Sequence, residues 1–412
     1  MSVFRPFQAV RPKKEFASSV AALPYDVMNS EEAREKVKGC PYSFIHVDKA
    51  EVDLPEDTYL YSDEVYNKAA QNLKKLSDDG ICFKEEKPCF YIYRQIMGDV
   101  CQTGLVGCAG VDDYINNVIK KHEFTRADKE EDRIRHVDTC NANTGPIFLA
   151  YRRHSVIDEI IDKYTALTPE YDFISEGDVR NTVWVVSDDG DLCALKSAFG
   201  EVDALYIADG HHRAASAVKV ALKRRAENPG FTGEEEFNFF LAVAFRAEEL
   251  KIMDYNRLIK DKNGLSNEEL FTKLGEIFEI AEKDGAVKPA RRHTFGFYCN
   301  KKWYELTLKD GLCDEGNVLE SLDVSILQRY VISGIFGIED PRTDKRIDFV
   351  GGIRGLKELE RRCDEDMELA ISMYPTSLKE LMGIADSGQV MPPKSTWFEP
   401  KLLSGLFIHE LK

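Results

Sequence analysis

Short apolar runs separated by polar segments are the most regular pattern along the chain. They have the length of buried strands and are rich in the aromatic and β-branched residues that strands favour. We therefore predict strands at residues 89–93, 182–186, 205–208 and 239–245. Two further runs, at residues 295–299 and 303–308, flank a short polar turn and predict a β-hairpin.

Helix openings are marked by capping signals between these runs. Glu32 follows Asn29 at the spacing of a capping box, and Thr376 and Ser377 precede an apolar-periodic segment. Thr125 precedes a charged segment that reads as another helix. The remaining pattern predicts a helix at about residues 324–334, a strand at 347–350 and a closing hairpin near 395–411.

The alternation of strands and helices predicts an α+β (mixed α/β) fold with several sheets. The chain has 412 residues, enough for two or three domains. Polar turns suggest boundaries near residues 170 and 260. We therefore predict an N-terminal α/β domain at 1–170, a phosphate-binding region at 171–260 and a C-terminal α+β domain at 261–412.

Composition and charge favour a globular protein that binds neither nucleic acid nor a membrane. Hydrophobic residues make up 43% and charged residues 31%, an ordinary globular mixture. The net charge of −17 disfavours nucleic acid as a partner, and the basic run at 223–225 reads as a solvated helix end. The longest apolar run is too short to span a membrane, and no signal peptide is visible, which predicts a cytoplasmic protein.

Ten cysteines are present without a Cys-x-x-Cys pair. The spacing of Cys82, Cys89, Cys101 and Cys108 fits no usual zinc arrangement, so we predict reduced thiols and no metal site.

The strongest candidate for chemistry is residues 205–217, where an apolar strand enters a polar turn and an Ala-rich helix follows. Gly210 permits close approach of a ligand, the first helical turn attracts anions, and Arg213 offers a guanidinium fork for phosphate. His211 and His212 supply donors or an acid/base. They point apart on a helix, which disfavours a metal between them. The alternative is that Asp209 caps the helix and the histidines are solvated.

Several other segments carry weaker signals. Lys394, Ser395 and Thr396 form a cation–hydroxyl group in a Pro-rigidified loop, although a solvent-facing edge strand is equally consistent. His122 and Glu123 could reach a cleft as base or metal-adjacent carboxylate, or could be exposed residues before a helix. Additional candidates, each of which could belong to an ordinary turn or helix, are Tyr25, Asp26, Arg133, Asn143, Thr144, Asn256 and Arg257.

Taken in order, several blocks resemble the signature segments of the bacterial and archaeal family called domain of unknown function 1015, DUF1015. The resemblance spans almost the entire chain and predicts membership, although the family name assigns no activity. Members are often encoded beside serine-biosynthesis genes, which implies serine or phosphoserine chemistry. The blocks lie at residues 24–27, 43–47, 122–125, 207–213, 255–257 and 391–396.

The strand–turn–helix piece alone also resembles the nucleotide-phosphate loop of the ParB/sulfiredoxin superfamily, which includes free-serine kinases. There a Gly-x-x-Arg turn holds nucleotide phosphates, and Gly210 to Arg213 match it, with Ala217 as the small residue behind. Sulfiredoxins carry a reactive Cys where this chain has His211 or His212, which argues against sulfinic-acid repair. The acidic balance argues against a DNA-partition protein.

The resulting hypothesis is a nucleotide-dependent phosphotransferase acting on a small hydroxyl metabolite, with free serine as first candidate. Gly210, His211, His212 and Arg213 would hold the phosphates of ATP or ADP with Mg²⁺, and Lys394, Ser395 and Thr396 would close over the transferred group. Asp209 or Glu123 would accept the hydroxyl proton, with His122 and His211 as further catalytic candidates. The alternatives are a phosphatase for phosphoserine-like substrates and a non-catalytic nucleotide sensor. The sequence leaves the oligomeric state open.

Overall fold

The computed structural model describes residues 2–125 and 127–412; Arg126, in the predicted helix opening after Thr125, lies outside them. Their elements confirm a mixed α/β protein with several sheets. The chain forms two compact units. Unit 1 comprises Met1–Lys121, Thr125–Leu250 and Pro400–Lys412, and unit 2 comprises His122–Phe124 and Lys251–Glu399. The sequence-based division into three domains stays a prediction.

The longer strands coincide with runs of apolar and β-branched residues. In chain order they are β1 Phe4–Arg5, β2 Val10–Pro12, β3 Cys82–Lys84, β4 Phe90–Met97, β5 Val100–Gly110, β6 Ile119–Lys120, β7 Ala142–Asn143, β8 Ile147–Tyr151, β9 Tyr171–Ser175, β10 Val179–Val186, β11 Leu205–Asp209, β12 Phe239–Arg246, β13 Ile252–Met253, β14 Tyr255–Ile259, β15 Phe278–Lys283, β16 Thr294–Cys299, β17 Lys302–Leu308, β18 Ile347–Gly351, β19 Leu369–Ser372, β20 Trp397–Phe398 and β21 His409–Glu410.

The helices are α1 Ala17–Val20, α2 Ser30–Lys36, α3 Ile45–Asp48, α4 Asp63–Asp78, α5 Val111–Ile115, α6 Ala127–Cys140, α7 Ser155–Thr165, α8 Asp189–Glu201, α9 His211–Glu227, α10 Asn267–Ile277, α11 Asp323–Leu327, α12 Leu356–Glu365 and α13 Leu378–Asp386. The predicted capping box at Asn29 is confirmed and opens α2. The helix opening predicted at Thr376 and Ser377 is also confirmed, and Ser377 forms a capping box with Glu380 at the start of α13. No helix in the described part of the chain is long and apolar enough to cross a membrane.

Unit 1 is built on a nine-stranded sheet in the order β6-β11-β8-β12-β5-β4-β10-β9, with β1 added alongside β5. β11 runs parallel to β6 and antiparallel to β8, whereas β12 runs parallel to β8. The register of β11 against β8 shifts between Ile207 and Asp209, which makes Ala208 an extra residue. Such a bulge redirects the chain, here at the start of the predicted phosphate turn.

Helices cover this sheet and bury its apolar side chains. α9 packs against α6, and Ser216 donates a hydrogen bond to the Glu130 carbonyl at 3.1 Å. Ala214 and Ala217 are buried in the main core, and such small side chains let a helix approach its sheet closely. All seven residues of 239–245 are buried in β12, which explains the continuous apolar run of the sequence.

The closing hairpin predicted near residues 395–411 is wrong. β20 pairs with β13 in unit 2, and β21 pairs with β7 in unit 1. The intervening chain contains Pro400 and Gly405, with a φ of 85° at the glycine, and buries its apolar residues. It pairs through isolated antiparallel bridges, Ser404 with Ala22 and Ile408 with Val10, and not with β20. Its hydrophobicity serves packing in the core of unit 1 rather than a local hairpin.

Unit 2 is built on a six-stranded antiparallel sheet in the order β15-β17-β16-β19-β14-β18. The predicted hairpin is confirmed as β16 and β17, whose turn residues Asn300 and Lys301 have φ of 50° and 63°. The predicted helix at 324–334 begins as α11 but continues as a π-helix at Gln328–Ser333. No periodicity of apolar residues distinguishes that wider turn from an α-helix.

Candidate functional site

The polar turn after β11 has the geometry of an anion-binding helix start. Gly210 is the N-cap of α9 and adopts φ 92° and ψ 30°, a left-handed conformation that glycine accepts without strain. A glycine has no side chain with which to cap the helix. The positive end of the seventeen-residue α9 therefore begins beside a residue that presents only backbone.

Arg213 lies directly against this glycine. A Cβ atom placed on Gly210 would be 3.1 Å from Nε and 3.2 Å from both Cζ and Nη2 of Arg213. The Nη1 group donates to the Pro146 carbonyl, which fixes one edge of the guanidinium. Nε is buried and has no hydrogen-bond partner among the described residues. A buried donor without a partner is costly, and here it belongs to a group suited to phosphate.

Two nearby cations, Lys401 and Arg213, stabilise the ionised form of Asp209. Its Oδ1 accepts the Gly210 N–H at 2.8 Å, and its Oδ2 accepts from Lys401 Nζ at 3.2 Å, with Arg213 Nη2 at 3.8 Å. Burial alone would raise the pKa of Asp209, but Lys401 and Arg213 outweigh it, so the pKa lies well below the ordinary carboxyl range. The carboxylate is therefore a fixed anion and a weak proton acceptor.

His211 and His212 differ in environment. Burial lowers the pKa of His211 to about 4, although the Asp209 carboxylate acts in the opposite direction. His211 is consequently neutral near pH 7, able to donate from one ring nitrogen and accept at the other. His212 is partly exposed.

Several of the weaker sequence candidates meet Arg213 around one small cavity. It has a volume of about 20 Å³, room for one water molecule and not for a nucleotide. Arg133 stacks on the Tyr25 ring, with Cζ 4.1 Å from the ring centroid, and both line the cavity. Asp26, next to Tyr25, is exposed. The lining also includes Asp48, His136, Asn143, Thr144, Gly145, Arg213 and Ser404.

The charge of Arg133 at this cavity is balanced by an ion pair. Arg133 Nη2 lies 2.8 Å from Asp132 Oδ2, and although burial works against it, Asp132 and Tyr25 raise the pKa of Arg133 above its ordinary value. Burial raises the pKa of the Tyr25 hydroxyl, and Asp26 adds to this, while Arg133 and Arg213 act in the opposite direction.

Asn143 and Thr144 hold the scaffold of the same cavity. Thr144 Oγ1 donates to Asp48 Oδ1 at 3.1 Å, and both residues are buried. Asn143 Oδ1 lies 3.1 Å from His409 Nδ1 and accepts the Leu241 N–H at 3.3 Å. These contacts engage Asn143 Oδ1 and Thr144 Oγ1 inside the protein.

The other sequence candidates lie in unit 2, where two of the predicted blocks meet. The Met391 N–H donates to the His122 carbonyl at 2.8 Å, and His122 Nε2 lies 3.4 Å from Thr396 Oγ1. Ser395 is buried and donates through Oγ to the Pro392 carbonyl at 2.5 Å. Lys394 is exposed, adopts φ 61° and places Nζ 5.6 Å from the Tyr255 ring centroid. The edge strand offered as the alternative for this loop does not form at Lys394.

Asn256 and Arg257 are buried in β14. Asn256 donates to Asp254 Oδ2 at 2.7 Å and accepts the Met373 N–H at 2.9 Å. Arg257 donates to the Tyr255 carbonyl, and burial lowers its pKa to about 10. Glu123 lines a different feature, a cavity of about 810 Å³ within unit 2.

Sequence reasoning missed several residues that complete the unit 1 site. Lys401 stands at the end of the Pro-rigidified loop without a motif of its own, and Asp48 directly follows the block at 43–47. His136 could have been found, because Asp132, Arg133 and His136 recur at helical spacing on one face of α6.

Similarity to known proteins extends over most of the chain. The model of the family described as "Protein of unknown function (DUF1015)" matches residues 4–325. No curated protein matches the chain.

Among solved structures, a mutant free serine kinase in complex with ADP is 15% identical at a TM-score of 0.36, covering 72% of this chain and 87% of that one. A conserved hypothetical protein from Pyrococcus furiosus is 15% identical at 0.34, covering 73% and 94%. C-terminally truncated SbnI from Staphylococcus aureus is 10% identical at 0.39, covering 72% and 85%. Likeness at this level assigns no activity.

Proposed function

We propose that this chain, which belongs to the DUF1015 family, is a nucleotide-dependent phosphotransferase. The family description assigns no activity, and the proposal rests on the geometry of unit 1. The donor phosphates bind at the turn from Gly210 to Arg213, and the acceptor is a small hydroxyl metabolite, with free serine as the first candidate. The observation that carries the proposal is the contact between a left-handed glycine and the guanidinium of Arg213 at the start of α9.

This contact supports phosphate binding in three ways. The N-terminus of α9 favours anions through its backbone dipoles. The absence of a side chain at Gly210 lets an oxygen approach where a Cβ would otherwise lie. The buried Nε of Arg213 lacks a partner among the described residues, so a phosphate oxygen would satisfy it.

The neighbouring charges keep Arg213 available to a ligand. Lys401 lies closer to Asp209 than Arg213 does, at 3.2 Å against 3.8 Å. Lys401 therefore supplies the hydrogen bond to the carboxylate, and the guanidinium is held near the turn without being fully engaged. Asp209 acts in this proposal by orienting its two cations, because its lowered pKa makes it a weak base.

We assign His211 as the general base that accepts the proton of the substrate hydroxyl. Its imidazole is neutral near pH 7, and Asp209 favours its protonated form. A phosphate anion at the turn would raise the pKa of His211 further, since opposite charges favour protonation. As the bond between the terminal phosphorus and its bridging oxygen breaks, the hydroxyl oxygen forms the new P–O bond and its proton passes to His211.

Magnesium would arrive with the nucleotide and bridge its phosphates, because phosphoryl transfer depends mainly on positioning and on neutralising charge. The roles first predicted for His122, Glu123, Lys394, Ser395 and Thr396, which all belong to unit 2, stay predictions.

The test compares nucleotide binding and turnover in two variants: Arg213→Ala, which changes the proposed site, and Arg225→Ala, which serves as the control. Arg225 lies on the same helix with a similarly buried side chain, 13% exposed against 11%, and pairs with Asp112. We expect ATP, ADP or CTP with magnesium to raise the unfolding temperature of the wild type and of Arg225→Ala but not of Arg213→Ala.

Mass spectrometry of reactions containing serine then identifies the product. Phosphoserine formed only with nucleotide supports the kinase. Release of inorganic phosphate from phosphoserine without nucleotide would instead identify a phosphatase. Tight nucleotide binding without turnover would identify a non-catalytic nucleotide sensor. Equal nucleotide affinity in Arg213→Ala and wild type would refute the phosphate turn itself.

A further inference from the structure

A second cluster of side chains lies in unit 2, and these side chains could ligate a metal ion. The cluster shares no residue with the turn from Gly210 to Arg213. His293 immediately precedes β16, while Cys313 and Glu315 lie in the loop after β17. One ligand atom from each of the three lies within 4.8 Å of the others. His293 Nδ1 is 3.4 Å from Glu315 Oε1, and His293 Nε2 is 4.0 Å from Cys313 Sγ. Imidazole, thiolate and carboxylate are the three side-chain groups that zinc binds.

The surroundings of His293 resemble the support of a metal-bound imidazole. Its Nε2 lies 3.2 Å from the Ser321 carbonyl and 3.8 Å from Asp323 Oδ1. A ring N–H that donates there leaves the lone pair on Nδ1, which faces Glu315. Metal-bound histidines usually donate their other ring N–H to a carbonyl or carboxylate in this way.

Asp323 supplies an independent sign that a cationic centre belongs here. It is 7% exposed, and its Oδ1 accepts the His293 backbone N–H at 2.9 Å. Its Oδ2 is buried and has no hydrogen-bond partner in residues 2–125 and 127–412. A buried carboxylate with an unused oxygen is costly, and an imidazole polarised by a bound cation would offset that cost.

We propose that unit 2 binds one zinc ion through the His293 imidazole, Cys313 Sγ and the Glu315 carboxylate. Asp323 and Ser321 act as positioning residues for the imidazole. The thiolate selects a borderline-soft ion over magnesium or calcium, and the histidine and carboxylate suit the same ion. The second oxygen of Glu315 faces Arg292 Nη1 at 3.9 Å, which leaves Oε1 for the metal.

Three protein ligands leave a fourth zinc position for water or a ligand. Cys313 also lines the cavity of about 810 Å³, so the zinc ion lies at the wall of a space large enough for a metabolite. This site does not depend on the proposed phosphate transfer, and its failure would leave the phosphate turn untouched.

The test is metal binding by the full chain after removal of bound metals with a chelator. Zinc is titrated against a chromophoric competitor, and cobalt(II) is added separately as a spectroscopic probe of thiolate ligation. We expect one zinc ion per chain and a thiolate-to-cobalt charge-transfer band in the wild type.

Cys313→Ser should abolish that band, whereas Cys363→Ser, a partly buried cysteine of the same unit, should keep it. Glu315→Gln changes a side chain that is 65% exposed, so its fold should be retained while zinc affinity falls. Asp323→Asn should weaken zinc binding and keep the charge-transfer band. A band that survives in Cys313→Ser, or zinc affinity unchanged in Glu315→Gln, would overturn the proposal.

Discussion

Lys401 donates a hydrogen bond through Nζ to Asp209 Oδ2 at 3.2 Å, although the two residues are 192 positions apart in the chain. The lysine comes from the closing segment of unit 1 and the carboxylate from the end of β11. The electrostatics of the phosphate turn are therefore set by a residue that no local motif includes.

Replacing Lys401 by Met should lower the free energy of unfolding by about 2 kcal/mol at pH 7, the usual worth of a hydrogen bond to a charged group. Because the pKa of Asp209 is lowered in the folded protein, this contribution is present above the unfolded carboxyl pKa of about 3.9 and is lost as the pH falls through the folded value. Urea unfolding at a series of pH values measures it. A difference between the two proteins that stayed constant down to the most acidic pH would contradict the assignment.

Gly210→Ala should destabilise unit 1 and weaken nucleotide binding together. The left-handed backbone costs about 1–2 kcal/mol for an L-residue, and the new Cβ would lie 3.1 Å from Arg213 Nε. Gly39→Ala is the matched control, because Gly39 has φ 75° and a Cβ added there would have no neighbour within 4 Å, so it meets the backbone strain alone. Equal effects of the two substitutions on thermal unfolding and on nucleotide affinity would remove the special status of Gly210.

His211 should make the protein acid-sensitive. Its folded pKa of about 4 lies below the ordinary value of 6.5, so the unfolded chain binds the proton more readily and stability falls as the pH drops from 6.5 towards 4. The loss attributable to this group is about 3 kcal/mol at most. His211→Gln should flatten the pH dependence of the unfolding free energy between pH 6.5 and 4. A His211→Gln profile parallel to that of the wild type would argue against a buried neutral imidazole.

Thr144 and Asp48 should be energetically coupled. Thr144→Val removes the donor to a buried carboxylate and should cost about 1–3 kcal/mol. Combined with Asp48→Asn in a double-mutant cycle, the coupling should be about 1 kcal/mol. Urea denaturation of the four proteins gives this quantity, and additive effects would show that the hydrogen bond contributes nothing of its own.

The strand, the glycine turn and the helix at residues 205–217 could be predicted from the sequence because their determinants are local. Gly210 and Arg213 are three residues apart, and the strand before and helix after them follow from apolar periodicity. The stacking of Arg133 on Tyr25 joins residues far apart in sequence, so their types suggested candidates but not a contact. Lys401 was hidden for the same reason.

The errors of sequence reasoning also have physical causes. Most of residues 402–408 are apolar because they fill the core of unit 1, and this pattern resembles that of strands paired in a hairpin. The π-helix at Gln328–Ser333 has the apolar spacing of an ordinary helix, and only the shift in backbone hydrogen bonds distinguishes it.

The interruption of unit 1 between residues 250 and 400 has a consequence for how the protein is made. All strands of the nine-stranded sheet emerge from the ribosome before unit 2, but Lys401 and β21 follow it. At ordinary rates of synthesis the sheet waits roughly 10–30 s for them. During that interval β7 has no strand partner, and Asp209 has only Arg213 as a nearby side-chain cation among the contacts described for it. The charge balance around Asp209 is therefore completed by residues that are translated after most of unit 2.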